Sequence, residues 1–241
     1  MPEVYFIQSK QVEIRILGTR GEVPEKKKHY KSHSGVLIDN RILVDWGEQD
    51  FSDYHPELIL ITHLHPDHAF FVRNSGLEKV PVPVYAPEKV KQIQSFEIIK
   101  TKLEWDGYQI TPVPVIHSIK VKSQGYIIEK GDKKIFYSGD MIWIPKKHHF
   151  LLENLNLVIT EASYFRKGGM IRKDAKSGRI FGHAGVRELI GFFGKFTNKI
   201  VFLHYGSWFL KNIPSGKRKI STLQTNSLEL IAARDELLIE I

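Results

Sequence analysis

The chain of 241 residues contains no cysteine. This absence excludes disulfides, thiolate catalysis, and zinc or iron–sulfur sites built on cysteine, so any metal must be held by His, Asp or Glu. The sequence also lacks an apolar run near the ~18 residues that a membrane span needs. Its first residues alternate charged and apolar side chains, unlike the core of a signal peptide. We therefore expect a cytoplasmic protein without a membrane partner.

Linkers, low-complexity segments and internal repeats are also lacking, so residues 1–241 are predicted to form a single domain. Lys and Arg number 35 against 27 Asp and Glu, a formal net charge of +8 with a pI near 9.4. A basic surface favours acidic partners such as nucleic acid or phosphorylated substrates. A soluble surface that is simply basic explains the charge equally well.

Short β-branched runs between turn residues predict many strands, with few helices among them. Asp39-Asn40 predicts a hairpin turn, and Pro87–Phe96 and Val186–Phe193 predict helices. Leu228–Ala232 and Leu237–Ile241 are expected to form a terminal hairpin. The pattern indicates an α+β fold in which sheet packs on sheet and helices lie outside.

Six predicted strands each end in, or are followed at once by, an ionisable residue. Rigid strands that deliver functional side chains at their ends are a common way to build a catalytic site. One such residue would mean little, because strand ends border water, but six of them are hard to explain by solvation. The six residues are Asp45, His63, His117, Asp140, Glu161 and His204.

The densest signal is Thr62-His63-Leu64-His65-Pro66-Asp67-His68, which follows a predicted buried strand. His63 and His65 are two residues apart and can face one side, whereas Asp67 and His68 point elsewhere. This arrangement suits two metal ions side by side, and the donors favour Zn²⁺ while also suiting Mn²⁺ or Fe²⁺. The alternative is a polar loop with solvent-facing histidines. His117 can complete the first site, His204 the second, and Asp140 can bridge both.

The ordered pattern H-x-H-x-D-H, followed by a lone His, an Asp and a His, resembles the metallo-β-lactamase fold superfamily over nearly the whole chain. The resemblance implies a four-layered αβ/βα sandwich with two mixed central sheets and helices on the outer faces. It also implies a dinuclear site at one end of the sheets, which Asp45 would support without binding metal. One ion would be held by His63, His65 and His117, the other by Asp67, His68 and His204, with Asp140 shared.

Finer motifs resemble the tRNA 3′-processing endonucleases (RNase Z) and related phosphodiesterases. Leu17-Gly18-Thr19-Arg20-Gly21 to Val23-Pro24 is similar to their G-T-x-G-x-x-P opening, and Val44–Glu48 to their D-C-G-E segment. Thr160–Ser163 is similar to H-E-A-T and Gly182–Gly185 to H-S-T. In that family the Glu supports a proton relay and the His protonates the leaving oxygen. The resemblance thus implies these roles for Glu161 and His183, the latter expected at a helix N-terminus.

Two departures separate the chain from RNase Z itself. Phe71 stands where a glycine is usual three residues after the motif histidine. Only 22 residues lie between His117 and Asp140, which leaves no room for the arm, or exosite, that grips tRNA. We therefore expect an RNase Z-like phosphodiesterase without the exosite, acting on small cyclic or nucleotide phosphodiesters or on nucleic acid ends. A basic, glycine-containing loop over residues 166–179 is expected to border the site, where it could grip phosphates.

The expected reaction is hydrolysis by a hydroxide that bridges two divalent metal ions, with Asp67, Glu161 and His183 as catalytic residues. The alternatives are a lactonase or thioesterase with the same metal site, or a nucleic-acid-binding module whose metal site is vestigial. The resemblance is also compatible with a homodimer, because members of the family often pair.

Overall fold

The computed structural model describes residues 11–73, 80–89 and 96–241. Within these ranges the chain forms sixteen strands and three α-helices, joined by short turns and 3₁₀ segments. The strands are β1 (Glu13–Gly18), β2 (Gly35–Ile38), β3 (Ile42–Val44), β4 (Leu58–Leu60), β5 (Val84–Tyr85), β6 (Phe96–Glu97), β7 (Leu103–Trp105), β8 (Tyr108–Pro114), β9 (Gln124–Lys130), β10 (Lys133–Tyr137), β11 (Leu157–Ala162), β12 (Met170–Lys173), β13 (Ile180–His183), β14 (Lys199–Tyr205), β15 (Glu229–Ala232) and β16 (Leu237–Glu240). The helices are α1 (Val186–Phe193), α2 (Ser207–Leu210) and α3 (Ile213–Ser221).

Fourteen of the described strands form two sheets of seven, and both sheets are mixed. The first has the order β16-β1-β2-β3-β4-β5-β6, antiparallel as far as β3 and parallel beyond it. The second has the order β15-β14-β11-β10-β9-β8-β7, parallel as far as β10 and antiparallel beyond it. Most antiparallel neighbours follow one another along the chain and are joined by short connections, whereas β16 returns from the end of the chain to pair with β1.

The buried apolar residues lie in three layers. One cluster sits between the two sheets and takes side chains from both, such as Ile14 and Val201. A second covers the outer face of the second sheet with the apolar side of α1, including Leu189 and Phe193. A third covers the outer face of the first sheet around Trp46. The two sheets pack face to face and helices lie outside them. This arrangement confirms the predicted α+β fold, a four-layered αβ/βα sandwich.

The predicted turn at Asp39-Asn40 joins β2 to β3, with φ angles of 51° and 54° at the two residues. Such left-handed backbone is the conformation that a two-residue hairpin turn needs. The predicted helix Val186–Phe193 is α1. The predicted helix Pro87–Phe96 lies mostly in residues 90–95, outside the described residues.

The predicted terminal hairpin is wrong. β15 pairs with β14 in the second sheet, whereas β16 pairs with β1 in the first, so the chain crosses between the sheets at Arg234–Glu236. The buried carboxylate of Asp235 fixes this crossing by accepting hydrogen bonds from the Thr19 hydroxyl and from the backbone N–H groups of Lys31 and Ser32. Two short apolar runs around a polar pair are compatible with either arrangement, and only long-range pairing selects one.

The predicted loop at residues 166–179 is largely a hairpin, because β12 and β13 pair in register from Met170–His183 to Lys173–Ile180. Gly169 serves close packing here instead of flexibility: a Cβ on it would lie 2.2 Å from the carbonyl oxygen of His183. His183 therefore ends a strand, and α1 begins only at Val186, so the predicted place of His183 at a helix N-terminus is wrong.

Among the described residues, the helices are all too short to cross a membrane.

Candidate metal centre

The six ionisable residues predicted at strand ends converge on one edge of the sandwich. The first sheet supplies Asp45 after β3 and His63 after β4, while the second supplies Asp140 after β10. Glu161 and His204 belong to the last residues of β11 and β14, and His117 follows β8. All six side chains are buried. Because both sheets end here, residues far apart in sequence meet within a few ångströms.

His63, His65 and His117 form the first donor group. Each offers a ring nitrogen, and these atoms lie within 4.8 Å of one another. Nε2 of His117 is 3.2 Å from Nδ1 of His65. Burial, together with the neighbouring His117, lowers the pKa of His65 to about 4. The imidazole is therefore neutral at neutral pH, which is the form that offers a lone pair to a metal.

Asp67, His68 and His204 form the second donor group, again with donor atoms within 4.8 Å. Nε2 of His204 lies 2.9 Å from Oδ2 of Asp67. Asp140 stands between the two groups: one carboxylate oxygen is 3.4 Å from Nε2 of His68, and the other is 3.7 Å from Nε2 of His117. The seven residues predicted as ligands thus lie together, with Asp140 between the two donor groups.

Unsatisfied polar atoms give an independent test of whether these residues fit a metal. Among the described residues, Nε2 of His63, Nε2 of His68 and Oδ1 of Asp140 are buried without a hydrogen-bond partner. Such atoms are costly unless something binds them. The three atoms belong to both donor groups and to the residue between them. Cations in the cluster would satisfy all three, so the donor set fits divalent metal ions.

The charges in the cluster lead to the same conclusion. Burial lowers the pKa of His68, but the carboxylates of Asp140, Asp45 and Asp67 outweigh it and raise that pKa well above its ordinary value. The pKa of Asp140 is held well below its usual range despite burial, because His204 and His68 lie beside it. The carboxylates therefore stay ionised and favour positive charge beside them, either on a protonated imidazole or as a metal ion.

Hydrogen bonds from behind orient the donors. Asp45 accepts a hydrogen bond from Nδ1 of His68 at 2.6 Å, which leaves Nε2 facing the site. The same carboxylate accepts from the hydroxyl of Tyr137 and from the backbone N–H of Thr62. Partners of this kind fix the tautomer and the direction of a metal-binding histidine. Asp45 thus occupies the supporting position that the resemblance implies.

Two further histidines of the cluster are held in the same way. Nδ1 of His117 donates to the carbonyl of Gly182 at 2.8 Å. Nδ1 of His204 lies 2.9 Å from the Ser163 hydroxyl, while its Nε2 faces Asp67. Sequence analysis did not identify Ser163 or Tyr137 as part of the site. Ser163 contacts the donor His204 and Tyr137 contacts the supporting Asp45, but a hydroxyl residue near a strand end is too common to be singled out.

Glu161 and His183 form a pair at the edge of the cluster. Oε2 of Glu161 lies 2.8 Å from Nδ1 of His183, and Oε1 accepts from the backbone N–H of Met141. Burial lowers the pKa of His183, but the Glu161 carboxylate more than offsets this and raises the pKa to about 9. His183 lies 3.8 Å from Asp140 and borders the cavity. The Glu161 carboxylate therefore favours the protonated form of an imidazole that lies beside the donor groups.

A cavity of about 440 Å³ opens over the two donor groups. Its floor includes His65, Asp67 and Asp140, and its walls include Tyr164 and Trp208. Sequence analysis did not identify either aromatic residue, because a single Tyr or Trp carries no positional signal. No residue of the basic stretch 166–179 lines the cavity. The expected contact between that stretch and the site therefore does not reach the cavity wall.

A family model described as "Beta-lactamase superfamily domain" matches residues 49–205, about two thirds of the chain and all seven donor positions. No curated protein sequence matches the chain significantly.

Solved structures share the fold at low sequence identity. The metallo-beta-lactamase fold protein YhfI from Bacillus subtilis is 18% identical with a TM-score of 0.71, covering 96% of this chain and all of that one. A diphosphatase from the PhnP family is 17% identical with a TM-score of 0.67, covering 96% and 98%. Human tRNase Z, short form, is 17% identical with a TM-score of 0.62, covering 94% and 98%.

Proposed function

The chain belongs to the β-lactamase superfamily, and from this premise we propose that it is a dinuclear metal-dependent phosphodiesterase. Its substrates would be small cyclic or nucleotide phosphodiesters or nucleic acid ends. The observation that carries the proposal is the Glu161–His183 pair, an imidazole and a carboxylate 2.8 Å apart at the edge of the candidate metal-binding cluster. The fold and the donor groups alone would suit many hydrolytic reactions. The Glu161–His183 pair suits a reaction whose leaving group must be protonated.

His63, His65 and His117 would hold one divalent ion, and Asp67, His68 and His204 the other, with Asp140 between them. A set of imidazoles and carboxylates without thiolates favours Zn²⁺ and also accepts Mn²⁺ or Fe²⁺. When bound, such ions supply Lewis acidity, which lowers the pKa of water and stabilises negative charge on a phosphoryl group.

Cleavage of a phosphodiester expels an alkoxide, a poor leaving group that needs a proton. The Glu161 carboxylate holds Nδ1 of His183, so the proton on Nε2 is the one available to the cavity. Glu161 itself is fixed by the backbone N–H of Met141 and cannot rotate away without losing that bond. His183 would therefore donate the proton to the leaving oxygen, and Glu161 would stabilise its cationic form.

Other observations support the same substrate class. Two proteins that share this fold are named a diphosphatase and a tRNase Z. The net charge of +8 favours anionic substrates. The short interval between His117 and Asp140 leaves no exosite arm, which supports a substrate smaller than tRNA.

The test is hydrolysis of bis(p-nitrophenyl) phosphate by protein supplied with Zn²⁺, Mn²⁺ or Fe²⁺, beside a lactone and a thioester. We expect chelator-sensitive phosphodiester turnover that Asp67→Ala abolishes together with part of the bound metal. Asp53→Ala, a change of the same type at an exposed position, is the matched control and should retain both. Turnover of the lactone or thioester alone would replace the proposal by a carboxyl-ester hydrolase. Metal binding or nucleic acid binding without any turnover would indicate a binding module.

The single domain, the cytoplasmic location and the homodimer remain predictions.

A further inference from the structure

One side of the cavity is built from aromatic rings. Tyr164 and Trp208 line the cavity, and Phe165 packs on Trp208 with ring centroids 4.9 Å apart and planes inclined by 36°. All three side chains are only partly buried. We call Tyr164, Phe165 and Trp208 the aromatic wall. It begins beside the proposed proton donor, because the ring of Tyr164 lies 5.7 Å from that of His183.

Hydrogen bonds and close backbone packing hold parts of the aromatic wall in place. The indole N–H of Trp208 donates to the carbonyl of Ala162 at 2.8 Å, which fixes the ring. Gly206 allows the two segments to approach, since a Cβ there would lie 2.1 Å from the carbonyl oxygen of Ser163. The main chain at Tyr164 is held by a backbone bridge to Gly185. Rings that are fixed before binding lose little conformational entropy when a ligand stacks on them.

Cations lie over the aromatic wall. The guanidinium of Arg166 is 5.4 Å from the ring centre of Tyr164, and that of Arg187 is 5.3 Å from Phe165. The ammonium of Lys219 is 5.6 Å from Phe165 and 6.0 Å from Trp208. These three cations are exposed, and none of them forms an ion pair with a carboxylate of the described residues.

The acidic residues nearby are already engaged. Glu188 accepts a hydrogen bond from the backbone N–H of Gly168, and Glu25 accepts one from the hydroxyl of Ser207. Glu25 also lies 3.8 Å from the ammonium of Lys211. The three cations over the aromatic wall outnumber these two carboxylates, so a net positive charge remains there for an anionic ligand.

The size of the cavity suggests what that ligand is. About 440 Å³ accommodates roughly one nucleotide over the donor groups, within the range of ordinary ligand sites. Phe165 packs on Trp208 but does not line the cavity. The aromatic wall therefore extends beyond the cavity. Unpaired bases stack on aromatic side chains while cations follow the phosphates, and paired bases in a duplex cannot do this.

We propose that the aromatic wall and its three cations bind a single-stranded nucleic acid, with the bases next to the reacting phosphate stacked on Trp208 and Tyr164. This rests on the proposed function and narrows its substrate class to single strands. Neighbouring nucleotides would place their phosphates against Arg166, Arg187 and Lys219.

The test measures binding separately from hydrolysis. A fluorescent phosphorothioate oligothymidylate of about 12 nucleotides, close to ordinary site sizes for single strands, is titrated with the metal-supplied protein at several salt concentrations. We expect the single strand to bind at least tenfold more tightly than the matching duplex. Replacing Arg187 and Lys219 together by Ala should weaken binding and reduce the salt slope by about 0.7 for each lost phosphate contact. Both side chains are exposed, so this variant should fold.

Trp208→Ala should weaken binding about tenfold or more while leaving the salt slope unchanged, because it removes stacking and no charge. The matched controls are Trp143→Ala, an aromatic residue 38% exposed beyond the cavity lining, and Lys195→Ala, an exposed lysine after α1. Both controls should bind within twofold of wild type. Equal weakening by target and control variants, or a duplex bound as tightly as the single strand, would overturn the inference.

The two proposals fail differently. Hydrolysis of bis(p-nitrophenyl) phosphate without strand binding that depends on the aromatic wall overturns this inference and leaves the proposed function intact. Strand binding that depends on the aromatic wall, without hydrolysis of any phosphodiester, overturns the proposed function and supports the binding surface.

Discussion

Nδ1 of His183 lies 2.8 Å from Oε2 of Glu161, although the two residues are 22 positions apart and belong to different sheets, β13 and β11. The hairpin of β12 and β13 carries the histidine back over the end of the second sheet, where Gly182 meets His117. Because Glu161 is almost fully buried and His183 faces the cavity, the carboxylate acts on the imidazole and not directly on a ligand.

His183→Ala should therefore show an effect that depends on the leaving group. For a dinucleoside monophosphate, whose leaving oxygen must be protonated, we expect kcat to fall about 10²- to 10⁴-fold. For bis(p-nitrophenyl) phosphate the fall should be much smaller, because nitrophenolate departs without a proton. Bound metal, measured by elemental analysis, should stay near the wild-type content.

Glu161→Gln should show the same dependence on the leaving group with a smaller loss, since the amide still occupies the place but carries no charge. His149→Ala is the matched histidine control: this ring donates to the carbonyl of Ile144 and lies outside the cavity lining. A loss of equal size on both substrates after His183→Ala would contradict proton donation and leave His183 a purely structural role.

Asp45→Asn should weaken metal binding without removing a ligand. Asp45 accepts from Nδ1 of His68 and has φ of 61°, a left-handed backbone that Asn also tolerates. An amide cannot accept from His68, Thr62 and Tyr137 as a carboxylate does, so His68 loses its fixed direction. We expect Zn²⁺ affinity to fall about 10- to 100-fold in a chelator competition. Asp53→Asn should leave it unchanged, and an unchanged affinity in Asp45→Asn would show that Asp45 does not orient the donor.

The convergence of the candidate metal-binding residues could be predicted from sequence because its signal is local. Each donor stands at a strand end, and strand ends are marked by apolar runs that stop at a polar residue, as at His63 and His204. Parallel neighbours in a sheet then bring such ends together without further information, as β11 and β14 do for Glu161 and His204. The spacing separated His63 and His65 from Asp67 and His68, and the resemblance implied the complete donor groups.

Features that depend on long-range pairing could not be predicted. Tyr137 ends β10 with an unremarkable apolar pattern, and its contact with Asp45 arises only when the two sheets face each other. The hairpin at residues 170–183 has polar and apolar side chains without clear alternation, so its composition suggested a loop. The aromatic wall joins residues 164–165 to residue 208 through the packing of Gly206 on Ser163, which no local pattern records.

Stability should depend on pH through Asp39. Burial raises the pKa of Asp39, but hydrogen bonds from Lys130, Tyr108 and the backbone of Glu13 outweigh burial and lower it. A lowered folded-state pKa contributes stability that is present above the ordinary Asp value near 4 and is lost as pH falls through the lowered value. The free energy of unfolding of wild type should therefore exceed that of Asp39→Asn at pH 7, and the difference should shrink below about pH 4.

Urea unfolding of both proteins with excess chelator, from neutral pH to about pH 3, measures this difference without a contribution from metal. Asn suits the left-handed φ of 51° at residue 39, so the substitution adds little backbone strain. Asp53→Asn, at an exposed position, should show no such trend. A difference that does not change with pH would mean that Asp39 contributes by packing alone.

Ala variants of Gly131 and Gly139 distinguish the effect of backbone strain from that of crowding near the candidate metal centre. Both have left-handed φ, 60° and 57°, so Ala at either should cost about 1–2 kcal/mol of unfolding free energy. A Cβ at Gly131 meets nothing within 4 Å, whereas one at Gly139 would lie 2.7 Å from the Thr62 hydroxyl. That hydroxyl donates to Asp45.

Gly139→Ala should therefore lose more stability in urea unfolding than Gly131→Ala. It should also bind Zn²⁺ more weakly, since displacing Thr62 disturbs the carboxylate that orients His68. Equal losses in the two variants, with Zn²⁺ affinity unchanged in both, would mean that Thr62 moves aside freely and that Asp45 keeps its direction without it.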